Sequence, residues 1–240
     1  MEQACLLPRR CRVLSGSALK VLALFAMLVD HCALHFSPWL GADLFTLFGI
    51  RFTPYLLLRG FGRIAFPLFC FLLAEGYRHT RSKPRYALSL LLFALLSEIP
   101  FNLVHTGTVY YAKQNVFFTL LLGFLGIWAL DRFRKEPWKA ALLLLALFAA
   151  AYFGRADYNW KGYLFILLMW MLCEQPVMQL FSGITLLSWP AGVALAFVPM
   201  NFYNGKRGFI RGPLATYACY LFYPAHLLLL WLLRRHFFGY

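Results

Sequence analysis

Ionisable residues lie inside an apolar run that is long enough to cross a bilayer. The run extends from Leu19 to Phe36 and contains Lys20, Asp30 and His31. Titratable groups at membrane depth are costly, and they usually face a bundle interior or a water-filled cavity. They are therefore candidates for chemistry, with His31 as a general base and Asp30 as the carboxylate that sets its tautomer and basicity.

The spacing of Lys20 and His31 suggests a ligand. At about 100° and about 1.5 Å per residue, the two side chains share nearly one helix face and lie roughly 16 Å apart along the axis. This arrangement suits a carrier such as coenzyme A, whose phosphorylated head stays in water while its thioester reaches into the bundle. The alternatives are an interfacial anchor for Lys20 and a histidine satisfied by a neighbouring helix for His31.

The composition excludes a soluble domain, because 62% of the 240 residues are hydrophobic and only 13% are charged. Apolar segments of about 16 to 22 residues recur without strand-like alternation, which predicts an all-α, polytopic integral membrane bundle in one domain, residues 1–240, with a basic tail over residues 1–17. About eight transmembrane helices are predicted: Ala18–Phe36, Gly62–His79, Tyr86–Val104, Asn115–Leu130, Trp138–Gly154, Trp160–Cys173, Met178–Pro199 and Leu214–Leu233.

The net charge of +14 does not indicate nucleic acid, because the basic residues form short clusters between apolar spans and there set the topology. With the N-terminus inside, 14 of the 23 Lys and Arg residues are cytoplasmic. The sequence thus predicts a multi-pass protein of the cell (inner or plasma) membrane with both termini in the cytoplasm. The six cysteines lie in the tail or within spans, so no disulfide framework is expected.

Other ionisable groups leave alternatives open. Glu98, on the third span, reaches a depth similar to that of His31 and is a second candidate for orienting it. His31 and His35 have the i, i+4 spacing of metal ligands, but His35 falls at the interface, and we expect no metal. A relay through Asp30, His31 and Glu98 would also suit a proton-coupled transporter of a small solute, which is the alternative function.

Two further regions are candidates for binding. The turn after the second span is basic and would add to Lys20 a rim for phosphates. The loop 201–212 is expected outside, where Lys206 and Arg207 either contact a substrate or are simply solvated. Tyr223 and His226 give the eighth span a polar, aromatic face that either lines a cavity or packs against another helix. The basic turn contains Arg78, His79, Arg81 and Arg85.

Motifs in order along the chain resemble the TraX family over about Leu19 to Leu233. The resemblance implies acyl transfer, since the founding member, from conjugative plasmids, acetylates the N-terminus of F-pilin. It implies acetyl-CoA as the donor and a peptide such as a pilin N-terminus, or an envelope glycan, as the acceptor. The matching motifs are Lys20-Val-Leu-Ala through Asp30-His31, Gly62-Arg63, Phe66-Pro67, Glu75-Gly76-Tyr77, Ser97-Glu98-Ile99-Pro100-Phe101-Asn102, Gln114-Asn115-Val116 and Tyr223-Pro224-Ala225-His226.

On the interpretation as an acetyltransferase, the candidate residues form three groups. The catalytic group is His31 with Asp30 or Glu98 as its orienting carboxylate. The donor group lies at the cytoplasmic rim, and the acceptor group lies toward the other side. The donor group is Lys20, Glu75, Arg78, His79 and Arg81, and the acceptor group is Arg63, Asn102, Asn115, Lys206, Arg207, Tyr223 and His226.

A more distant resemblance links the chain to membrane O-acyltransferases, which carry an Arg or Lys, ten intervening residues and a His on their first helix. Lys20 and His31 fit this spacing. The chain departs from that family in having fewer spans and in carrying Glu75-Gly76-Tyr77 in place of Ser-Gly-Phe. The departure leaves the acceptor chemistry open between an amine and a hydroxyl.

Overall fold

The computed structural model describes residues 3–47 and 50–239, and it confirms an all-α helical bundle. A short antiparallel hairpin, β1 (Phe45–Leu47) and β2 (Ile50–Phe52), connects the first two helices. The helices of the described residues are α1 Gly16–His35, α2 Pro54–Gly62, α3 Ala65–His79, α4 Lys83–Thr106, α5 Val116–Arg132, α6 Pro137–Phe153, α7 Asn159–Met171, α8 Pro176–Leu186, α9 Pro190–Asn201 and α10 Gly212–Phe238.

Local chemistry determines where several helices begin. The side chains of Ser15, Thr53, Ser82 and Asn115 each accept a hydrogen bond from a backbone amide in the first turn of α1, α2, α4 and α5, respectively. Such caps satisfy donors that have no partner within the helix. At the other end of α4, Gly107 adopts a left-handed conformation with φ 73° and stops the helix.

Four segments are long and apolar enough to cross a membrane: α1, the continuous pair α2 and α3, α4, and α10. Further apolar helices of 11 to 17 residues pack between them. α3 lies at the centre, in contact with α1, α5, α7 and α9. Gly123 lets α5 approach α7 closely, because a Cβ at this position would lie only 2.5 Å from the Ile166 side chain. The multi-pass architecture is thus confirmed.

The predicted seventh span, Met178–Pro199, is wrong. The chain breaks between α8 and α9, where Trp189 has φ 67° and Pro190 opens the next helix. α9 then returns to the side from which α8 started, since the Ala4 amide donates to Cys173 just before α8 and the Leu6 amide donates to the Asn201 side chain at the end of α9. α8 and α9 therefore form a re-entrant helical hairpin, which hydropathy alone does not distinguish from a span.

The prediction that both termini share one side is also wrong. α1 and α10 run in parallel, because their first residues lie near one another and their far ends meet where the Trp39 and Phe237 rings are 5.8 Å apart. We call the end of the bundle that holds residues 3–16 the N-terminal face. The loop 202–211 lies on this face, where the Gly16 and Ser17 amides donate to the Lys206 and Arg207 carbonyls at 2.8 Å.

This arrangement increases the difference in Lys and Arg content between the two ends of the bundle. The N-terminal face now holds 15 of the 23 Lys and Arg residues, because the loop 202–211 joins it and the end of α10 leaves it. The 15 residues are Arg9, Arg10, Arg12, Lys20, Arg78, Arg81, Lys83, Arg85, Arg132, Arg134, Lys135, Lys139, Lys206, Arg207 and Arg211.

Candidate functional site

His31 and His226 form a hydrogen-bonded pair at the middle of the bundle. Nδ1 of His31 lies 2.7 Å from Nε2 of His226, and the ring planes differ by 10°. Two rings stacked face to face could not bring these two nitrogens so close together. The nearly parallel rings therefore meet edge to edge. The parallel course of α1 and α10 explains the meeting, since the two histidines are the sixteenth and fifteenth residues of their helices.

The hydrogen bonds fix the tautomers of the neutral pair. Nδ1 of His226 lies 2.7 Å from the Phe222 carbonyl oxygen, which can only accept, so this nitrogen carries the proton. Nε2 of the neutral His226 then has a lone pair and accepts from Nδ1–H of His31. This leaves Nε2 of His31 as an unprotonated nitrogen, which is the form that a general base requires.

The two carboxylates expected to orient His31 bind other partners. Oδ2 of Asp30 lies 2.6 Å from Nη1 of Arg59 and 3.4 Å from Nη2 of Arg63. Oε2 of Glu98 lies 2.6 Å from Nδ2 of Asn115. The expectation that one of them binds His31 is therefore wrong. Consecutive residues of a helix project about 100° apart, so Asp30 and His31 face different neighbours.

Asp30, Arg59 and Arg63 form a buried ionic cluster where α1 meets the α2–α3 joint. The side chains of Asp30, Arg59 and Arg63 are only 12%, 10% and 17% exposed, respectively. Gly62 makes room for the cluster, because a Cβ there would lie 2.4 Å from that of Asp30. Arg63 also donates to the Tyr158 hydroxyl at 3.4 Å. The cluster is one residue from His31, and its two cations outnumber its one carboxylate.

Asn115 and Asn102, predicted to face the acceptor, make structural contacts. Asn115 is fully buried, caps α5 by accepting from the Phe117 amide, and donates to the Ala94 carbonyl at 2.8 Å. Asn102 donates to the Val109 carbonyl at 2.8 Å and so closes the loop after α4. Their contact with an acceptor stays a prediction.

A cavity of about 990 Å³ lies between α1, α3, α4, α5 and α10, and cationic side chains line it toward the N-terminal face. Of the predicted donor residues, Lys20, Glu75, His79 and Arg81 line this cavity. Arg78 is not among the lining residues, because its guanidinium pairs with Glu75 and donates to the Trp170 carbonyl. The cationic lining residues together with His79 are Lys20, His79, Arg81, Arg85 and Arg207.

Arg207 was predicted on the outer side, and the structure places it beside Lys20 instead. The loop that carries it is fastened to the start of α1, where the Ser17 hydroxyl donates to the Arg207 carbonyl at 2.7 Å and accepts from the Ile210 amide at 2.8 Å. Gly208, with φ 90°, is required there, since a Cβ would lie 2.3 Å from Oγ of Ser15. Lys206, in the same loop, is exposed on the same face.

The inner end of the cavity stops one side chain short of the histidine pair. Met27 on α1 and Tyr223 on α10 line this end together with apolar residues of α4 and α5. The Tyr223 ring centre is 6.1 Å from that of His31 and 5.7 Å from that of His226. A ligand that entered from the cationic mouth would thus reach the pair at Tyr223.

Within the described residues, no group of three or more His, Cys, Asp or Glu side chains has the arrangement of a metal site. His35 is buried one turn beyond His31, and the centres of these two rings are 6.4 Å apart. The ring centre of a third histidine, His105, lies 5.1 Å from that of His35. Nε2 of His35 has no hydrogen-bond partner among the described residues.

The fold and site define a multi-pass membrane protein whose mid-membrane histidine pair lies at the end of a cationic-mouthed cavity. The chain belongs to the TraX family, because a family model described as TraX protein matches residues 15–234, which include all these site residues. This family is associated with pilin acetylation. The chain is also similar to the probable fimbrial assembly protein FimC, serogroup H1, of Dichelobacter nodosus, with 29% identity over 248 residues, covering 90% of this chain and 94% of that protein. No solved structure matches the chain.

Proposed function

We propose that this protein is a membrane-embedded acetyltransferase that moves an acetyl group from acetyl-CoA to an amine or hydroxyl acceptor. The observation that carries the proposal is a continuous cavity that runs from the cationic rim to the neighbourhood of the His31–His226 pair. Coenzyme A combines a multiply charged phosphate head with a long arm that ends in the thioester. The head fits the rim, and the arm fits the apolar interior.

The rim offers cations from two sides of the cavity. Lys20 and Arg207 come from α1 and the loop before α10, whereas Arg81 comes from the turn between α3 and α4 and Arg85 from the first turn of α4. Charge-assisted hydrogen bonds from such groups contribute about 1.5 to 3 kcal/mol each. We place the N-terminal face in the cytoplasm, because 15 of the 23 Lys and Arg residues lie there and CoA is supplied there.

In this mechanism, Nε2 of His31 takes the proton of the acceptor while the acceptor atom attacks the thioester carbonyl carbon. The new bond is C–N or C–O, the bond that breaks is C–S, and the protonated His31 returns its proton to the leaving sulfur. His226 keeps the proton of His31 on Nδ1 and so holds Nε2 available. Positioned proton transfer of this kind contributes about 10² to 10⁴ in rate.

The family and the name of the D. nodosus relative favour a peptide of a pilus or fimbria as the acceptor, and an envelope glycan is the other candidate. Arg63 is the predicted acceptor residue best placed to meet it, because its guanidinium contacts Asp30, the residue before His31. Lys206 lies on the donor face and therefore suits the CoA head better than an acceptor arriving from the opposite side.

The test is to incubate the detergent-purified protein with radiolabelled acetyl-CoA and native membrane components, and to measure CoA release and transferred label. We expect the wild type to transfer label, and His31→Gln to bind acetyl-CoA normally but to lose at least about 10²-fold in rate. The matched control is His236→Gln, at an exposed position near the end of α10. Solute flux without CoA release would support the proton-coupled transporter instead.

A further inference from the structure

Three tyrosines of α10 line the cavity at increasing depth. Tyr217, Tyr220 and Tyr223 recur every three residues and so lie along one side of the helix. Tyr223 is the deepest, with 3% of its surface exposed, and its ring also contacts the histidine pair. This side chain therefore stands where the donor cavity and the candidate base meet.

The hydroxyl groups of Tyr220 and Tyr223 differ in their partners. The hydroxyl of Tyr220 has the hydroxyl of Tyr86 as its neighbour, and the two can share a hydrogen bond. The oxygen of Tyr223 instead lies near the backbone N–H of Val116, the first residue of α5, and both residues line the cavity. Because an N–H group cannot accept a hydrogen bond, this neighbour leaves the hydroxyl proton of Tyr223 available to donate.

The position of Val116 strengthens the donor character of this hydroxyl. The first amides of a helix carry the positive end of its dipole, and α5 is 17 residues long. A donor held in a dry site and aimed at an oxygen that becomes negative stabilises a transition state without reorganisation. The cavity interior around Tyr223 is apolar, with Met27, Leu90 and Phe117 in its walls.

We propose that Tyr223 is a catalytic residue that donates a hydrogen bond to the carbonyl oxygen of the donor thioester. This inference rests on the proposed acetyltransferase function and deepens it. When the acceptor attacks the carbonyl carbon, the electron pair of the C=O bond moves to the oxygen, and the Tyr223 hydroxyl stabilises that charge. The pair returns when the C–S bond breaks, so Tyr223 keeps its proton throughout while His31 carries the proton that moves.

The kinetic test is Tyr223→Phe, which keeps the ring and removes the hydroxyl. We expect kcat to fall by about 10² to 10³, as for the loss of one oxyanion donor, with the Kd of acetyl-CoA nearly unchanged. The matched control is Tyr220→Phe, one helical turn nearer the mouth, whose hydroxyl lies near that of Tyr86 and away from the histidine pair. We expect this control to lose much less activity. Equal losses in both variants, or wild-type kcat in Tyr223→Phe, would overturn the assignment.

A spectroscopic test separates this role from a structural one. In the His31→Gln background, which blocks turnover, infrared difference spectra of acetyl-CoA labelled with ¹³C at the carbonyl report the hydrogen bond directly. We expect the carbonyl band at a lower frequency with Tyr223 than in the double variant with Tyr223→Phe. If the double variant does not bind acetyl-CoA, a more acidic fluorotyrosine introduced at position 223 should lower the band further.

An unchanged band in either comparison contradicts the proposal. The outcomes are also distinguishable from a failure of the acetyltransferase function. That failure appears as a wild type that neither binds acetyl-CoA nor releases CoA, whereas a failure of this inference appears as an active enzyme whose rate and carbonyl band do not respond to the Tyr223 hydroxyl.

Discussion

His31 is held by another imidazole and not by a carboxylate. A neutral His226 provides the lone pair that keeps the proton of His31 on Nδ1, without a second negative charge inside the membrane. Burying an unpaired charge costs far more than burying a neutral group that is hydrogen-bonded. His226 is thus a positioning residue. The tautomer of His226 is fixed in turn by its hydrogen bond to the Phe222 carbonyl.

Removing the ring of His226 should impair the base without impairing donor binding. We expect His226→Phe to lower kcat by about 10²-fold, at the lower end of general-base effects, while the Kd of acetyl-CoA changes little. His226→Asn should recover part of the loss, because its amide oxygen can accept from Nδ1–H. The measurements are kcat against pH and calorimetric binding. A His226→Phe variant with a wild-type pH profile would exclude the positioning role.

Asp30 stabilises the fold, since its carboxylate compensates Arg59 and Arg63. Asp30→Asn leaves the buried Arg59 without its ionic partner and leaves Arg63 with Asp157 as its remaining carboxylate, so we expect a loss of about 3 to 5 kcal/mol in stability. Thermal unfolding in detergent measures this loss, and Asp43→Asn, in an exposed ion pair with Arg51, is the control. An Asp30→Asn variant that unfolds like the wild type but is inactive would restore the catalytic role predicted from the sequence.

At the scale of the helices, the sequence predicts what depends on local composition. Long apolar runs place α1, α4, α5 and α10 close to their true positions. Pro190 marks the break after Trp189 in the sequence, but the apolar residues on both sides of it gave a hydropathy that joined α8 and α9 into one span. That error inverted α10 and moved Arg207 and its loop to the wrong face.

The same error hid the partner of His31. In the predicted topology α10 ran opposite to α1, and nothing in the sequence paired His226 with His31 in preference to Asp30 or Glu98. The signal that was available is the polar, aromatic face of the last span, which contains Tyr223 and His226. The position of the Tyr223 hydroxyl beside the start of α5 depends on how α5 and α10 pack, and no sequence pattern contains this proximity.

The loop 202–211 depends on Gly208 for its docking on α1. Gly208→Ala should displace it, because the added Cβ would lie 2.3 Å from Oγ of Ser15, which caps α1. We expect Arg207 to move from the rim and the affinity for acetyl-CoA to fall by about tenfold, which corresponds to about 1.4 kcal/mol. Titration calorimetry checks this expectation.

Gly205→Ala provides the control for that experiment. Gly205 also has a positive φ, 76°, so alanine has a similar backbone cost there, but its Cβ would meet nothing within 4 Å. The difference between the two variants isolates the contact with α1. Equal affinities would show that the docking of the loop does not position Arg207 for the donor.

The whole molecule separates two chemical environments. The N-terminal face carries most of the cations and the mouth of the donor cavity, whereas the ionic cluster of Asp30, Arg59 and Arg63 lies deeper than that mouth. His31 follows Asp30 in α1 and lies beside Tyr223 at the inner end of the cavity. In the proposed reaction, a donor from the N-terminal face and an acceptor from the membrane or its far side would meet at this base without sharing an entrance.

This arrangement requires the termini to lie on opposite sides of the membrane, and it predicts a distinctive labelling pattern. In a variant without the native cysteines, single cysteines replace Arg81, Arg207 or His236, all of them exposed. We expect a membrane-impermeant thiol reagent to reach Arg81→Cys and Arg207→Cys from the same side, because both line the mouth of one cavity. His236→Cys should react only from the other side, since the end of α10 packs beside Trp39. Labelling of His236→Cys together with Arg81→Cys would refute the parallel course of α1 and α10, and with it the pairing of His31 with His226.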